Sequence, residues 1–133
     1  DMFWNRSSGN AIIRFLAPIL FRFSKANRFG PDFLVGEGYD LSEYGFNAQV
    51  LSIPGHSKGS IGILTADGDL FCGDLLENAD KPATNSIMDD AAACEASIDR
   101  LKDLPIDTVY PGHGSQFPME KYTSSIREGS KQV

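Results

Sequence analysis

The chain contains two histidines, and both follow Pro-Gly at the end of a strand-like run. Ile53-Pro54-Gly55-His56-Ser57 closes one run, and Tyr110-Pro111-Gly112-His113-Gly114 closes another. Pro-Gly turns a chain sharply and leaves the next side chain on a loop at the strand end, where α/β folds carry functional groups. Any fold of this chain must therefore present two imidazoles just past strand ends. Between them, Cys72-Gly73-Asp74 puts a carboxylate past a third strand, and Gly73 permits a close turn there. Imidazole and carboxylate are ordinary ligands of Zn²⁺ and similar ions. One histidine after Pro-Gly reads first as a turn residue. Two in the same setting, with Gly-Asp between, make a metal site an even alternative.

The remaining pattern alternates strands and helices. Ala48 to Ile53 alternates as a strand, Ser60 to Thr65 as a second, and Asp67-Gly68 is a strong hairpin turn into Leu70-Phe71-Cys72. Asp89 or Asp90 can cap a helix through Leu104, with Ala91, Cys94, Ile98 and Leu101 on one side. Ile106 to Tyr110 reads as the last strand, and Pro118 suits the first turn of a closing helix over 119–128. Upstream, residues 10–28 read as helical, kinked or divided at Pro18. Phe33-Leu34-Val35 is a short apolar run bounded by glycines. The order suggests an α/β layer structure. Cys72 and Cys94 read as core residues.

Charge narrows the partners. The net charge is −6. Residues 1–30 hold five basic residues against Asp1, hence +4, which leaves −10 for the rest. An acidic body argues against nucleic acid. Two cysteines make no disulfide framework, so a reducing, cytoplasmic compartment fits. No apolar run is long enough to span a bilayer. The basic, aromatic segment 1–30 reads as a core-packed helix with a solvated face, set apart from a domain over 31–133.

The stretches Leu51-Ser-Ile-Pro-Gly-His56-Ser-Lys-Gly-Ser60, Leu70-Phe-Cys-Gly-Asp74-Leu-Leu and Val109-Tyr-Pro-Gly-His113-Gly resemble, in this order, the second half of the metallo-β-lactamase fold superfamily. Its members carry a Pro-Gly-His-Thr-x-Gly-Ser motif, a Gly-Asp motif and a late Gly-His motif. Pro31-Asp32-Phe33-Leu34 and Glu37-Gly38 also look like the segment preceding these motifs. Asp74 follows His56 by 18 residues and precedes His113 by 39, and the likeness covers about residues 31–122. The resemblance implies half of an αββα sandwich, with one mostly antiparallel sheet and flanking helices. It implies that His56 binds a first divalent metal, that Asp74 bridges two, and that His113 binds the second, with zinc the expected ion. Gly73 and Gly112 would shape the turns beside these ligands. Ser57 stands where Thr is common, its hydroxyl orienting neighbouring backbone, and Lys58 replaces a frequent Pro. Asp74, where true β-lactamases have Cys or no ligand, resembles the glyoxalase II-like, lactonase and phosphodiesterase branches.

The superfamily's His-x-His-x-Asp-His motif does not occur in these 133 residues. The expected function is thus the C-terminal part of a metal-dependent hydrolase of a small ester, thioester, lactone or phosphodiester, inactive as this chain alone. Asp1 in place of Met fits a piece of something longer. The competing expectation is a non-enzymatic stand-alone half-domain that pairs as a homodimer or binds a partner through its exposed sheet face, in place of a missing N-terminal half, and that needs no metal. Ligands from Glu37, Glu77 or Asp80 are a further alternative.

Overall fold

The computed structural model describes residues 30–129. The helix expected over 10–28 therefore lies outside the described residues. A five-stranded sheet carries the fold, in the order β1-β2-β3-β6-β7. Its strands are β1 (Ala48–Ser52), β2 (Ile61–Thr65), β3 (Asp69–Gly73), β6 (Thr108–Pro111) and β7 (Phe117–Pro118). A small ribbon pairs β4 (Leu76–Glu77) with β5 (Ala83–Thr84). Helix α1 spans Ala91–Lys102 and α2 spans Met119–Gly129. The fold is mixed α/β, as the order of strands and helices suggests, with the mostly antiparallel sheet that the resemblance implies.

Direction is what matters for the site. β1 and β3 are each antiparallel to β2, so they run the same way. β6 pairs with β3 in parallel, after the crossover through α1 that a parallel neighbour requires. The C-terminal ends of β1, β3 and β6 thus share one edge of the sheet. His56, Asp74 and His113 follow those three ends.

One sheet face builds the core. Leu51, Leu64, Leu70, Cys72 and Val109 pack against Cys94, Ile98 and Leu101 of α1 and Tyr122 of α2. Each large apolar side chain so buried contributes about 1.5–3 kcal/mol. Asp90 caps α1, its Oδ1 accepting from the Ala93 amide at 2.9 Å. Ser97, buried on the same helix, donates to the Pro54 carbonyl at 2.7 Å and ties α1 to the loop before His56. The opposite sheet face is different. Phe71 stacks on Tyr110 at 4.8 Å, yet Phe71 is 46% and neighbouring Ile61 41% exposed.

Three expectations need correction. Ala91 is exposed, and Ser97 takes the fourth buried place on α1 because its hydroxyl finds a carbonyl there. β6 is not the last strand. Phe117–Pro118 returns along it as an edge strand, where a residue without an amide hydrogen is tolerated. Pro118 therefore ends β7 instead of opening the helix, which begins at Met119. The β4–β5 ribbon has no counterpart in the sequence pattern, because two-residue strands leave no periodicity.

Burial has a measurable consequence at Cys72. Removal from water raises its thiol from 9.0 to about 11. The folded chain then holds that proton more tightly than the unfolded one. Stability is unaffected well below pH 9.0 and falls as pH rises toward about 11, by about 1.4 kcal/mol per unit. Cys94 and Tyr122 shift the same way, also by burial. Urea melts across this range should show Cys72→Ala removing part of the alkaline slope. An unchanged slope would contradict the assignment.

Candidate metal centre

The site forms at the shared sheet edge from three loops. Gly73 adopts φ +52°, which turns the chain out of β3 and leaves Asp74 at the rim. The Gly112 amide donates to the Gly73 carbonyl at 2.8 Å, so the loop carrying His113 lies directly on the loop carrying Asp74. A Cβ on Gly112 would collide with Asp74 Oδ1, so only glycine leaves that carboxylate its room. The Asn78 amide donates to the His113 carbonyl at 3.0 Å, and its side chain donates to the Ser115 carbonyl at 2.8 Å. The His56 loop is fixed from behind. Gly55 adopts φ +147°, and its backbone lies so close to α1 that a Cβ would be 2.5 Å from Cys94 Cα. Ser57 Oγ meets Ser60 Oγ at 2.9 Å, and Ser60 Oγ accepts from the Ser57 amide at 3.1 Å, which closes the turn.

Asp74 stands between the two imidazoles. Its Oδ2 is 3.5 Å from His56 Nε2. Its Oδ1 is 2.9 Å from His113 Nδ1, which donates to it. The His56 side chain is 18% exposed and that of His113 70%. His56 Nδ1 lies 2.6 Å from the Ile87 carbonyl. A carbonyl can only accept, so Nδ1 carries a hydrogen, and Nε2 is the ring nitrogen that faces the carboxylate. A proton on Nε2 or a cation held between the two atoms would each satisfy this approach. Two donors ~2.1 Å from one tetrahedral ion lie about 3.4 Å apart, so this pair fits a zinc-like cation. His113 is held differently, with Nδ1 engaged by Asp74. Among the described residues, no set of three His, Cys, Asp or Glu side chains forms a ready cage for an ion. The carboxylate makes two separate pairs, one with each imidazole.

The other acidic candidates lie elsewhere. Glu37 accepts from the Ser52 amide at 2.6 Å and pairs with Arg100 at 3.2 Å, pinning the 36–40 segment to α1. Glu77 belongs to β4, and Asp80 follows in the turn of that ribbon. A groove of about 370 Å³ between α1 and α2, lined by Met88, Cys94, Ile98 and Tyr122, excludes all three residues of the His-Asp-His cluster. Sequence reasoning missed Ile87, whose backbone carbonyl accepts from His56, and Asn85, whose side-chain oxygen accepts from the Ile87 amide; neither leaves a motif.

An α/β sheet with His, Asp and His at three strand ends on one edge defines a metallo-β-lactamase type of fold. The family description "Metallo-beta-lactamase superfamily" matches residues 3–113, and the chain belongs to that family. Over 72 residues it is 38% identical to a hydroxyacylglutathione hydrolase of Blochmanniella pennsylvanica (strain BPEN), covering 48% of this chain and 28% of that protein. Over 78 residues it is 35% identical to the hydroxyacylglutathione hydrolase of Aeromonas hydrophila subsp. hydrophila, covering 58% of this chain and 30% of that one. The chain thus spans less than a third of these relatives' length. Among solved structures it is similar to TTHA1623 in a di-iron-bound form, with TM-score 0.61 and 31% identity over 83% of this chain and 55% of that one. TTHA1429 of Thermus thermophilus shares the fold, with TM-score 0.60 and 20% identity over 97% of this chain and 48% of that one.

Proposed function

We propose that this chain supplies His56, Asp74 and His113 to the two-metal site of a thioester hydrolase acting on acylglutathione-type substrates. The observation that carries the reading is the pairing of Asp74 with both imidazoles, while the Nδ1 hydrogen of His56 is committed to a backbone carbonyl. That commitment is the usual way a protein prepares an imidazole to bind a cation. The hydroxyacylglutathione hydrolase relatives support the thioester class, and the di-iron relative supports iron beside zinc as occupant. Bound divalent ions would polarise the thioester carbonyl and lower the pKa of water. Asp74 would hold its two oxygens toward two ions, and Gly112 would keep that carboxylate in place. Catalytic zinc normally takes three protein ligands, so the chain alone should bind metal weakly and turn nothing over. The test is a chimera in which the matching 78 residues of the Aeromonas hydrophila enzyme are replaced by their counterparts here. It should hydrolyse a hydroxyacylglutathione and lose that activity with His56→Ala. A folded, metal-loaded chimera that cleaves a phosphodiester or lactone but no thioester would refute the reading.

A second reading follows from the sheet face on which, among the described residues, Ile61 and Phe71 stand 41% and 46% exposed, with Phe71 stacked on Tyr110. In isolation this face should pair two copies of the chain, since apolar patches of this kind are rarely left to water. Light scattering at micromolar concentration should give a dimer, and Phe71→Glu a monomer. A wild-type monomer would dismiss self-association.

A further inference from the structure

We propose that Asn85 is a positioning residue for the metal centre, acting on His56 through the Ile87 carbonyl. This rests on His56 being a metal ligand. Asn85 lies between β5 and α1 and is 6% exposed. Burying an amide is costly unless its polar atoms are bonded. Its backbone amide donates to the Leu75 carbonyl at 3.2 Å, and its Oδ1 accepts from the Ile87 amide at 2.9 Å. The Ile87 carbonyl then accepts from His56 Nδ1 at 2.6 Å. Leu75 follows Asp74 directly and is 1% exposed, so it is a fixed anchor. One buried asparagine therefore links the residue beside Asp74 to the residue whose carbonyl meets His56.

Packing does not explain where Ile87 sits. Its side chain is 45% exposed, so burial of that side chain contributes little to holding the peptide. The bond from Asn85 fixes the Ile87 amide on one side, the Asp89 and Asp90 amides bond the Gly55 carbonyl on the other, and between them the Ile87 carbonyl is held toward His56. That direction decides the tautomer of His56. Imidazole in water favours the hydrogen on Nε2, which here would point an N–H at Asp74 and close the position to a cation. The Ile87 carbonyl reverses this preference and leaves Nε2 as the donor atom. Asn85 thus prepares the ligand without touching the ion.

The experiment reads the His56 tautomer in the metal-free chain by ¹⁵N–¹H NMR of the imidazole, at about pH 8.5, two units above the usual histidine range. The wild type should show hydrogen on Nδ1. Asn85→Leu, of similar shape, should move it mainly to Nε2 with backbone dispersion retained. Asn85→Asp keeps the acceptor oxygen and should restore Nδ1. Zn²⁺ affinity should fall ~10–100-fold in Asn85→Leu and recover in Asn85→Asp. Wild-type His56 carrying its hydrogen on Nε2 would overturn the inference. So would a folded Asn85→Leu, or a folded Asn85→Asp, that leaves the tautomer on the wrong side of this pattern. If Asn85→Leu does not fold, the wild-type and Asn85→Asp spectra decide. The expected tautomers in a chain that binds no Zn²⁺ would uphold the role of Asn85 while removing the metal-centre reading on which its function depends.

Discussion

Asp74→Ala is expected to abolish measurable divalent-ion binding by the chain, a loss of more than ~100-fold. Each imidazole keeps only itself once the shared carboxylate is gone, and a single neutral nitrogen holds no ion against water. The geometry makes the effect specific. Asp74 Oδ2 faces His56 at 3.5 Å and Oδ1 faces His113 at 2.9 Å, so one side chain serves both partners. Removing a ligand shared by two positions should cost more than the ~10–100-fold of a supporting group. Titration calorimetry with Zn²⁺ and Fe²⁺, beside urea melts, separates binding from folding. Asp74 is part-exposed at a loop, so its loss should leave stability within about 0.5–1 kcal/mol. Gly112→Ala provides an independent check. Its new methyl must displace Asp74 Oδ1, so affinity should fall while Asp74 remains. Undiminished Zn²⁺ binding in Asp74→Ala would mean that the ion sits elsewhere, and the metal centre would have to be abandoned here.

The placement of these three residues was legible because it depends on strand direction, and direction follows from short-range signals. Asp67-Gly68 forces β3 back along β2, and a helix between β3 and β6 allows them to lie in parallel. Strand ends that share an edge then bring His56, Asp74 and His113 together. A cap at Asp89 or Asp90 was legible too, since a short carboxylate before an apolar helical stripe has few other uses, and Asp90 takes the place. The orientation of His56 was not legible. It depends on the carbonyl of Ile87, and every residue has a carbonyl. Nor did the pattern reveal that Glu37 closes onto Ser52 and Arg100. That contact spans 15 residues to one partner and more to the other, and no local rule links them. Glu37 looked like a spare ligand because sequence gives a carboxylate its chemistry and not its neighbours.

Gly55→Ala is expected to destabilise the fold by about 3 kcal/mol or more. Two costs coincide there. The backbone holds φ +147°, a region that side chains other than glycine rarely adopt. The added Cβ would also lie 2.5 Å from Cys94 Cα and 2.9 Å from Cys94 N, which are helix backbone and cannot swing aside. Relief requires α1 to move off the sheet. Cys94, Ile98 and Leu101 would leave the core with it, and small-to-large changes in packed interiors cost ~1–3 kcal/mol even without backbone strain. The displacement has a functional side. The Gly55 carbonyl accepts from the amides of Asp89 and Asp90 at 2.9 and 3.1 Å, so the turn before His56 and the start of α1 are one unit. A shift of α1 should therefore turn His56 away from Asp74. Gly59→Ala is the matched control, since its Cβ meets nothing within 4 Å and its backbone is unstrained. Urea melts should place Gly55→Ala far below the wild type and Gly59→Ala within about 0.5–1 kcal/mol of it. Equal midpoints for the two variants would show that α1 is free to yield, and that the close approach at Gly55 does not hold the histidine loop in place.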